Sequence, residues 1–300
     1  MTAPIVLGID PSRDDSAAAK LAAVLAHVAD APVLAVACHD RDPVTAGVTG
    51  GASVREAEAA ADAVFTHLAS TLKFREFVTR VVAGAPAATL HRVAEEANSA
   101  LIVVGCSRRH TLGRVFPGSV TEATLHGSPC AVAVAPRGYE AAGGKPASIG
   151  VAYVDTPEGN AALTAAATLA GGWHADLVVT TVIEPRSRST VIGPYDAASS
   201  EESERLALRA AKHAVDALAG IQAAPRVVAG EAAAALTALT EELDLLVCGS
   251  RGQGRLKTGL LGGVSHRLVR DAACPVLVVG PGGQDRLESL FSSVATATRA

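Results

Sequence analysis

Two glycine-containing segments, each after a short apolar run, hold the residues whose types and spacing are best suited to chemistry. The later segment, Leu245–Arg270, places Gly249, Gly252 and Gly262 in one loop, with Gly263 at the start of a predicted helix. Glycines let backbone N–H groups approach an anion, and a helix N-terminus adds unpaired donors. The pattern predicts a phosphate-binding loop, and a surface loop with glycines at its turns is an equal alternative from the spacing alone. The cationic residues of the loop are Arg251, Arg255 and Lys257.

An earlier segment has the same layout with fewer glycines. Gly105 is followed by Arg108, where the later segment has its second glycine, and then by Gly118 and Ser119. The Ser119 hydroxyl could donate to a phosphate, or it could cap the next helix together with Glu122. Arg108 could pair with a phosphate or fill the space that the phosphate needs. The earlier loop is therefore an altered version of the later one.

Two aspartates follow predicted strands at corresponding places in the chain. Asp10 comes after the apolar run Ile5–Ile9, and Asp155 comes after Ser148–Val154. A carboxylate there could accept a hydrogen bond from a purine amino group or a ribose hydroxyl. The alternative, which the sequence alone favours, is an acid that forms the turn before a helix.

Patterns typical of catalytic and metal sites are not found in the sequence. Gly263–His266 does not form a GxSxG elbow, and the nine histidines show no zinc-ligand spacing. We therefore predict no catalytic residues and no protein-formed metal site. The cysteines, which lack any CxxC spacing, are expected to be buried thiols, with Cys106 the most accessible; they are Cys38, Cys106, Cys130, Cys248 and Cys274.

Composition excludes several classes of function. The net charge of −4 and the pI near 6.1 argue against a nucleic-acid partner bound through bulk positive charge. The N-terminus has no basic region before a long apolar run, and no stretch of about 18 apolar residues occurs. We therefore expect a cytoplasmic protein without nucleic-acid or membrane partners.

The chain is an internal duplication. RVVAG occurs at Arg80–Gly84 and again at Arg226–Gly230, and the offset between corresponding features is 144 to 146 residues. Short apolar runs alternate with helical patterns in both copies. This predicts an α/β fold with two tandem five-stranded parallel open sheets and helices on both faces. The predicted domains are 1–137 and 148–281, with a linker at 138–147 and a tail at 282–300 that is helical at Asp285–Val294.

Taken in order, these residues resemble the universal stress proteins in their tandem two-domain form, over Ile5–Val279. The resemblance rests on the strand–aspartate junctions, the VVAG turns, the VVG and VCG runs before the loops, LLGGVSHRL at Leu260–Leu268, and the final CPVLVV. It implies a 3-2-1-4-5 strand order in each sheet and ATP in the glycine-rich loop, with Mg²⁺ as a further expectation. The matching positions are Asp10, Gly105, Gly118 and Ser119 in the first half, and Asp155, Gly249, Gly252, Gly262 and, one turn on, Ser265 in the second.

Each half departs from the family's ATP motif at one position. Arg108 replaces a glycine, and Gly263 replaces a hydroxyl residue. Loss of a hydroxyl leaves the backbone N–H donors in place, whereas an arginine in place of a glycine can fill the space that the phosphates need. The second half is therefore the favoured ATP site. The resemblance also implies that the fifth strands, Cys130–Ala135 and Cys274–Val279, pack the two halves about a pseudo-two-fold axis, with a homodimer as a further expectation.

Three functions follow from these observations. The leading hypothesis is a stress-response regulator that binds ATP. The alternative is a nucleotide-free scaffold with degenerate sites, which Arg108 and Gly263 favour. A slow ATPase ranks last, because the sequence offers no evident general base near the loops.

Overall fold

The computed structural model describes residues 2–12, 16–39, 50–106, 109–111, 114–116, 119–141, 146–184, 197–218, 220–250, 262–280 and 283–297. Five parallel strands form the sheet of the first half, in the order β3-β2-β1-β4-β7. The inner strands β1, β4 and β7 are apolar along their whole length because helices cover both faces, whereas the edge strand β3 is partly exposed. The strands of this half are β1 (Ile5–Ile9), β2 (Val33–His39), β3 (Phe77–Ala83), β4 (Leu101–Gly105), the short hairpin strands β5 (Arg109–Thr111) and β6 (Arg114–Phe116), and β7 (Ala131–Ala135).

The second half repeats this sheet in the order β10-β9-β8-β11-β12. Both halves therefore have the predicted 3-2-1-4-5 order, and the predicted fold class is confirmed. The strands are β8 (Ser148–Ala152), β9 (Asp176–Ile183), β10 (Ala223–Ala229), β11 (Leu245–Gly249) and β12 (Val276–Val279).

The two sheets join into one ten-stranded sheet through their fifth strands. β12 and β7 pair antiparallel, with Leu277 directly opposite Ala133. These two residues are counterparts in the duplication, so a pseudo-two-fold axis passes between them. The strands run parallel within each half and antiparallel across this junction. The carboxyl ends of the strands in one half therefore lie on the opposite side of the sheet from those in the other half.

Helices cover the sheet in two layers, each with its own apolar core. On one face α1 and α5 lie beside the axis, and their many alanines let them pack closely on the strands. On the other face α4 and α8 lie beside the axis. The helices are α1 (Ser16–Ala29), α2 (Gly50–Thr71), α3 (Pro86–Glu96), α4 (Ser119–Leu125), α5 (Pro157–Trp173), α6 (Ala197–Asp216), α7 (Ala232–Leu239), α8 (Gly263–Asp271) and α9 (Gln284–Ala297). None of these described helices is both long and apolar enough to cross a membrane.

The C-terminal segment differs from the predicted tail. α9 packs against α5 and α1, and Leu287, Leu290 and Phe291 are almost completely buried. Their spacing places them on one helical face, which explains how a segment with polar residues between them joins the core. α9 thus belongs to the fold of both halves, because it covers the seam between them.

The third strand of the second half extends beyond the repeated RVVAG. β10 begins at Ala223, three residues before Arg226, and Ala223 pairs with Leu177. Pro225 is accommodated inside the strand because β10 is an edge strand and needs no outward N–H partner.

We predict that Phe291→Ala lowers the free energy of unfolding by about 3–5 kcal/mol, because it leaves a cavity between α9, α1 and α5. Urea unfolding measures this. Ser289→Ala, at an exposed position of the same helix, is the matched control and should change stability little. Equal losses in the two variants would show that α9 does not contribute to the core.

Candidate functional site

Each half has a crevice between its first and fourth strands, at their carboxyl ends. In the second half β8 and β11 are neighbours, and Gly249 ends β11 while Asp155 follows β8. In the first half β1 and β4 are neighbours, with Asp10 and Gly105 in the same relation. The strand order reverses between these strands, and open α/β sheets bind ligands at such switch points. The fold therefore brings each predicted aspartate to the same crevice as the first glycine of its loop.

The first turn of α5 lies inside the second crevice. Thr156 caps the helix by accepting a hydrogen bond from the Gly159 N–H at 3.1 Å, and Pro157 follows it. A Cβ atom on Gly249 would lie 3.0 Å from the Glu158 carbonyl oxygen and 3.1 Å from the Glu158 Cβ. The glycine at position 249 is thus required by helix packing, independently of any ligand.

The N-terminus of α8 is open to an anion. Its N-cap residue, Gly262, has no side chain to cap the first N–H groups, which have no acceptor within the helix. A Cβ atom on Gly263 would have no neighbour within 4 Å. The Gly262 N–H donates to the Ser250 carbonyl at 2.9 Å, so the end of the loop is held next to its beginning.

Ser250 adds a polar group that the sequence motif did not indicate. Its hydroxyl oxygen is shielded from solvent and has no hydrogen-bond partner among the residues that the structure describes. Buried hydroxyls are normally hydrogen-bonded, because an unpaired one costs about 1–3 kcal/mol. This orphaned group, beside the uncapped helix, fits a site that a polar ligand completes.

Ser265 is placed differently from the role that the resemblance implies. It is 4% exposed, and its hydroxyl donates to the Gly249 carbonyl at 2.8 Å. Thr121 makes the equivalent hydrogen bond to the Gly105 carbonyl at 2.8 Å. Ser265 and Thr121 are therefore counterparts that fasten each helix to its fourth strand, and Ser265 keeps only its oxygen lone pairs for a ligand.

Asp10 forms the turn that the sequence favoured as its alternative role. Its Oδ1 accepts hydrogen bonds from the Ser12 backbone N–H at 3.0 Å and from the Ser12 hydroxyl at 2.6 Å. Asp155 is exposed, and the Asn160 side-chain amide lies 3.5 Å from its Oδ1. Contact of either carboxylate with a ligand remains a prediction.

The two aspartates are not in register. The strand pairings relate β1 to β8 by an offset of 144, which makes Tyr153 the counterpart of Ile9 and Val154 the counterpart of Asp10. The Tyr153 hydroxyl donates to Asn160 Oδ1 at 3.2 Å. Burial, together with the negative charge of Asp155, raises the pKa of Tyr153. The second crevice therefore has a phenol where the first has the aliphatic side chain of Ile9, and one inserted residue precedes Asp155.

Parts of both predicted loops lie outside the described residues. Gly118 and Gly252 are among them, and so are Arg108, Arg251, Arg255 and Lys257. Ser119 begins α4, and its side chain is also outside the description. Part of the first loop forms the short antiparallel hairpin β5–β6, in which His110 pairs with Val115.

The cysteines are free thiols, and four of the five are buried as predicted, whereas Cys38 is only partly buried. Cys106, which we expected to be the most accessible, is buried because its backbone N–H donates to the Ala135 carbonyl at 2.9 Å and holds the residue against the sheet. Burial raises the pKa of Cys130, Cys248 and Cys274 to about 12. In the described part of the chain, no three His, Cys, Asp or Glu side chains cluster closely enough to hold a metal ion.

Known proteins resemble both halves of the chain. Residues 1–136 and 147–280 each match the model of the universal stress protein family. The fold is similar to that of a universal stress protein from Archaeoglobus fulgidus DSM 4304, with a TM-score of 0.64 and 20% identity over 92% of this chain and 96% of that one. A functionally unknown protein from Pseudomonas aeruginosa PAO1 has a TM-score of 0.65 and 17% identity, with 98% of both chains covered.

The packing of Gly249 leads to a prediction about two alanine variants. Gly249→Ala should lower the free energy of unfolding by about 1–3 kcal/mol, because the new methyl group meets the first turn of α5. Gly263→Ala should leave stability unchanged or raise it by up to about 1 kcal/mol, because the methyl group enters open space in a helix. Urea unfolding of both variants compares them. A Gly249→Ala protein as stable as Gly263→Ala would contradict the packing role.

The buried thiols predict a loss of stability in alkali. The unfolded chain has thiol pKa values of about 8.5, so the neutral folded thiols favour the native state fully below that pH. As the pH rises from about 8.5 towards 12, each thiol should reduce the free energy of unfolding by up to about 1.4 kcal/mol per pH unit. Urea unfolding at pH 8 and pH 10 measures the slope, and Cys248→Ala should make it shallower. An unchanged slope in that variant would refute the assignment.

Proposed function

Because this chain belongs to the universal stress protein family, we propose that it is a stress-response regulator that binds ATP in the crevice of its second half. Ligand binding would order the glycine-rich loop, and a partner would recognise the changed surface. The observation that carries the proposal is the open N-terminus of α8 beside the orphaned Ser250 hydroxyl. Helix N-termini with free N–H groups bind phosphates well.

The residues proposed to hold the nucleotide form two groups, one that binds the phosphates and one that binds the nucleoside. Backbone N–H groups of the glycine loop and of α8 would bind the phosphates, with Ser250 as an additional donor. Asp155 would accept from the purine amino group or the ribose. The loop residues are Gly249, Gly252, Gly262 and Gly263, with Ser265 holding the helix in place. In the first half the corresponding set is Asp10, Gly105, Gly118 and Ser119, and Arg108 makes it the weaker candidate.

Glu158 gives the proposed site a requirement for a counter-charge. Its backbone carbonyl and Cβ atom lie against Gly249, and the proposal places its carboxylate near the phosphates. Like charges at close range cost free energy, and a divalent cation offsets that cost. The proposed ligand is therefore ATP together with Mg²⁺, with the phosphates and not the protein supplying most of the cation's ligands.

A nucleotide-free scaffold is the second candidate function. The contact between Gly249 and Glu158 favours it, because packing alone explains that glycine. Arg108 in the first loop favours it as well. The domain bounds 1–137 and 148–281, a homodimer and a cytoplasmic location remain parts of the proposal under either function, and slow ATP hydrolysis remains the last alternative.

Calorimetric titration of the protein with ATP and Mg²⁺ tests the proposal. We expect binding that Gly252→Asp weakens at least about tenfold, since it adds an anionic side chain to the phosphate loop. Ser250→Ala should weaken binding by about fivefold while leaving the unliganded protein as stable or more so, because it removes an unpaired hydroxyl. Gly171→Ser, in the last turn of α5 with room for a side chain, is the control and should bind as the wild type does.

A gain of affinity provides the complementary test. Gly263→Ser restores the hydroxyl of the family motif at a position with free space, and should tighten ATP binding by about fivefold or more through a hydrogen bond to a charged group. No heat of binding at millimolar ATP in any variant would favour the scaffold. Equal affinities in all variants would place the nucleotide outside this crevice.

A further inference from the structure

The pseudo-two-fold axis creates a constraint on every residue that lies on it. Leu277 and Ala133 are counterparts in the duplication and face each other across β12 and β7. In a true two-fold interface between identical halves, a residue on the axis meets its own copy. In this chain it meets its counterpart, which is free to be a different residue type.

Glu122 and His266 are such a pair on the α4–α8 face of the sheet. They are 144 positions apart, and His266 Nε2 lies in hydrogen-bond contact with Glu122 Oε1. The preceding residues, Thr121 and Ser265, fasten α4 and α8 to their fourth strands by equivalent hydrogen bonds. The two helices are therefore placed symmetrically, which brings positions 122 and 266 together on the axis.

Two polar neighbours on or next to the same helices in the described part of the chain, His126 and Arg270, have other partners. His126 Nδ1 lies 2.7 Å from the backbone carbonyl of Glu122 and not at its carboxylate. Its counterpart, Arg270, donates to both carboxylate oxygens of Asp271, at 3.0 and 2.8 Å. Glu122 and His266 side chains are each 34% exposed, so the contact is partly shielded from water. The donor of one half thus matches the acceptor of the other.

We propose that the Glu122–His266 contact selects the partner of the fifth-strand surface: it accepts the unlike half and rejects the like half of a second copy of this chain. Two first halves would place two carboxylate acceptors on the axis without a donor. Two second halves would place two imidazoles there without a carboxylate. The backbone hydrogen bonds of β7 and β12 are the same for either partner, and the side chains of both strands are identical in all the chains compared below.

The selection is testable by trapping like-half pairs during oxidative refolding of the full chain. Ala133→Cys serves as the reporter, because the introduced thiol would face its own copy in a second chain only if two first halves pair. Peptide mapping counts only the dimers joined through that thiol, since the chain also has five native cysteines. Opposed residues on antiparallel strands are close enough for a disulfide. Position 133 is 0% exposed in the native pairing, so correctly folded chains should not cross-link through it.

Three chains carry this reporter. Glu122→Gln with His266→Gln places a glutamine on each side, and glutamine is donor and acceptor at once, so all pairings are satisfied. We expect its yield of covalent dimer to exceed that of the otherwise wild-type chain by about fivefold or more. Glu122→His with His266→Glu exchanges the two groups and keeps the native pairing of a carboxylate with an imidazole, so its yield should stay below that of the glutamine variant.

The outcomes separate this contact from the other asymmetric element on the axis. α9 covers the opposite face of the seam and is present once per chain. If α9 alone excluded like-half pairing, the glutamine variant would give no more covalent dimer than the wild type, and the proposal would be overturned. A dimer yield in the exchanged variant equal to that of the glutamine variant would overturn it as well. Urea unfolding of each variant verifies that the compared chains are folded.

Discussion

The antiparallel pairing of β7 with β12 is the interaction on which the rest of the structure depends. It converts two five-stranded sheets into one, with Ala133 opposite Leu277 at the centre. Because the pairing is antiparallel, it directs the two crevices to opposite edges of the sheet. It also creates the seam that α9 covers on one face and that Glu122 and His266 bridge on the other.

The two crevices share one construction and differ in their contents. In both, a hydroxyl on the helix after the loop fastens that helix to the end of the fourth strand. In the second crevice an inserted residue after β8 shifts the aspartate, and the first turn of α5 approaches Gly249. A glycine that belongs to a ligand motif thus also serves the packing of a helix. The uncapped start of α8 and the unpaired Ser250 hydroxyl are the features that favour a binding site over a packed remnant.

The fold was predictable because duplication and apolar runs are properties of the sequence itself. The repeat of RVVAG and the near-constant offset of 144 to 146 residues between corresponding features established two copies of one α/β unit. Contacts between distant segments were not predictable in this way. Burial of Cys106, packing of Glu158 on Gly249 and the place of Phe291 in the core all depend on which surfaces meet. The sequence shows that the two aspartates are one residue further apart than Gly105 and Gly249. Only the strand register shows that the extra residue lies between β8 and Asp155.

The proposed function depends on an adenine nucleotide in the second crevice. The most direct measurement is to denature the protein as purified and identify released small molecules by mass spectrometry. We expect ATP or its hydrolysis product at a substantial fraction of one molecule per chain, and a marked decrease when Gly252 is replaced by aspartate. No nucleotide from the wild-type protein, together with no uptake after incubation with ATP and Mg²⁺, would contradict nucleotide binding.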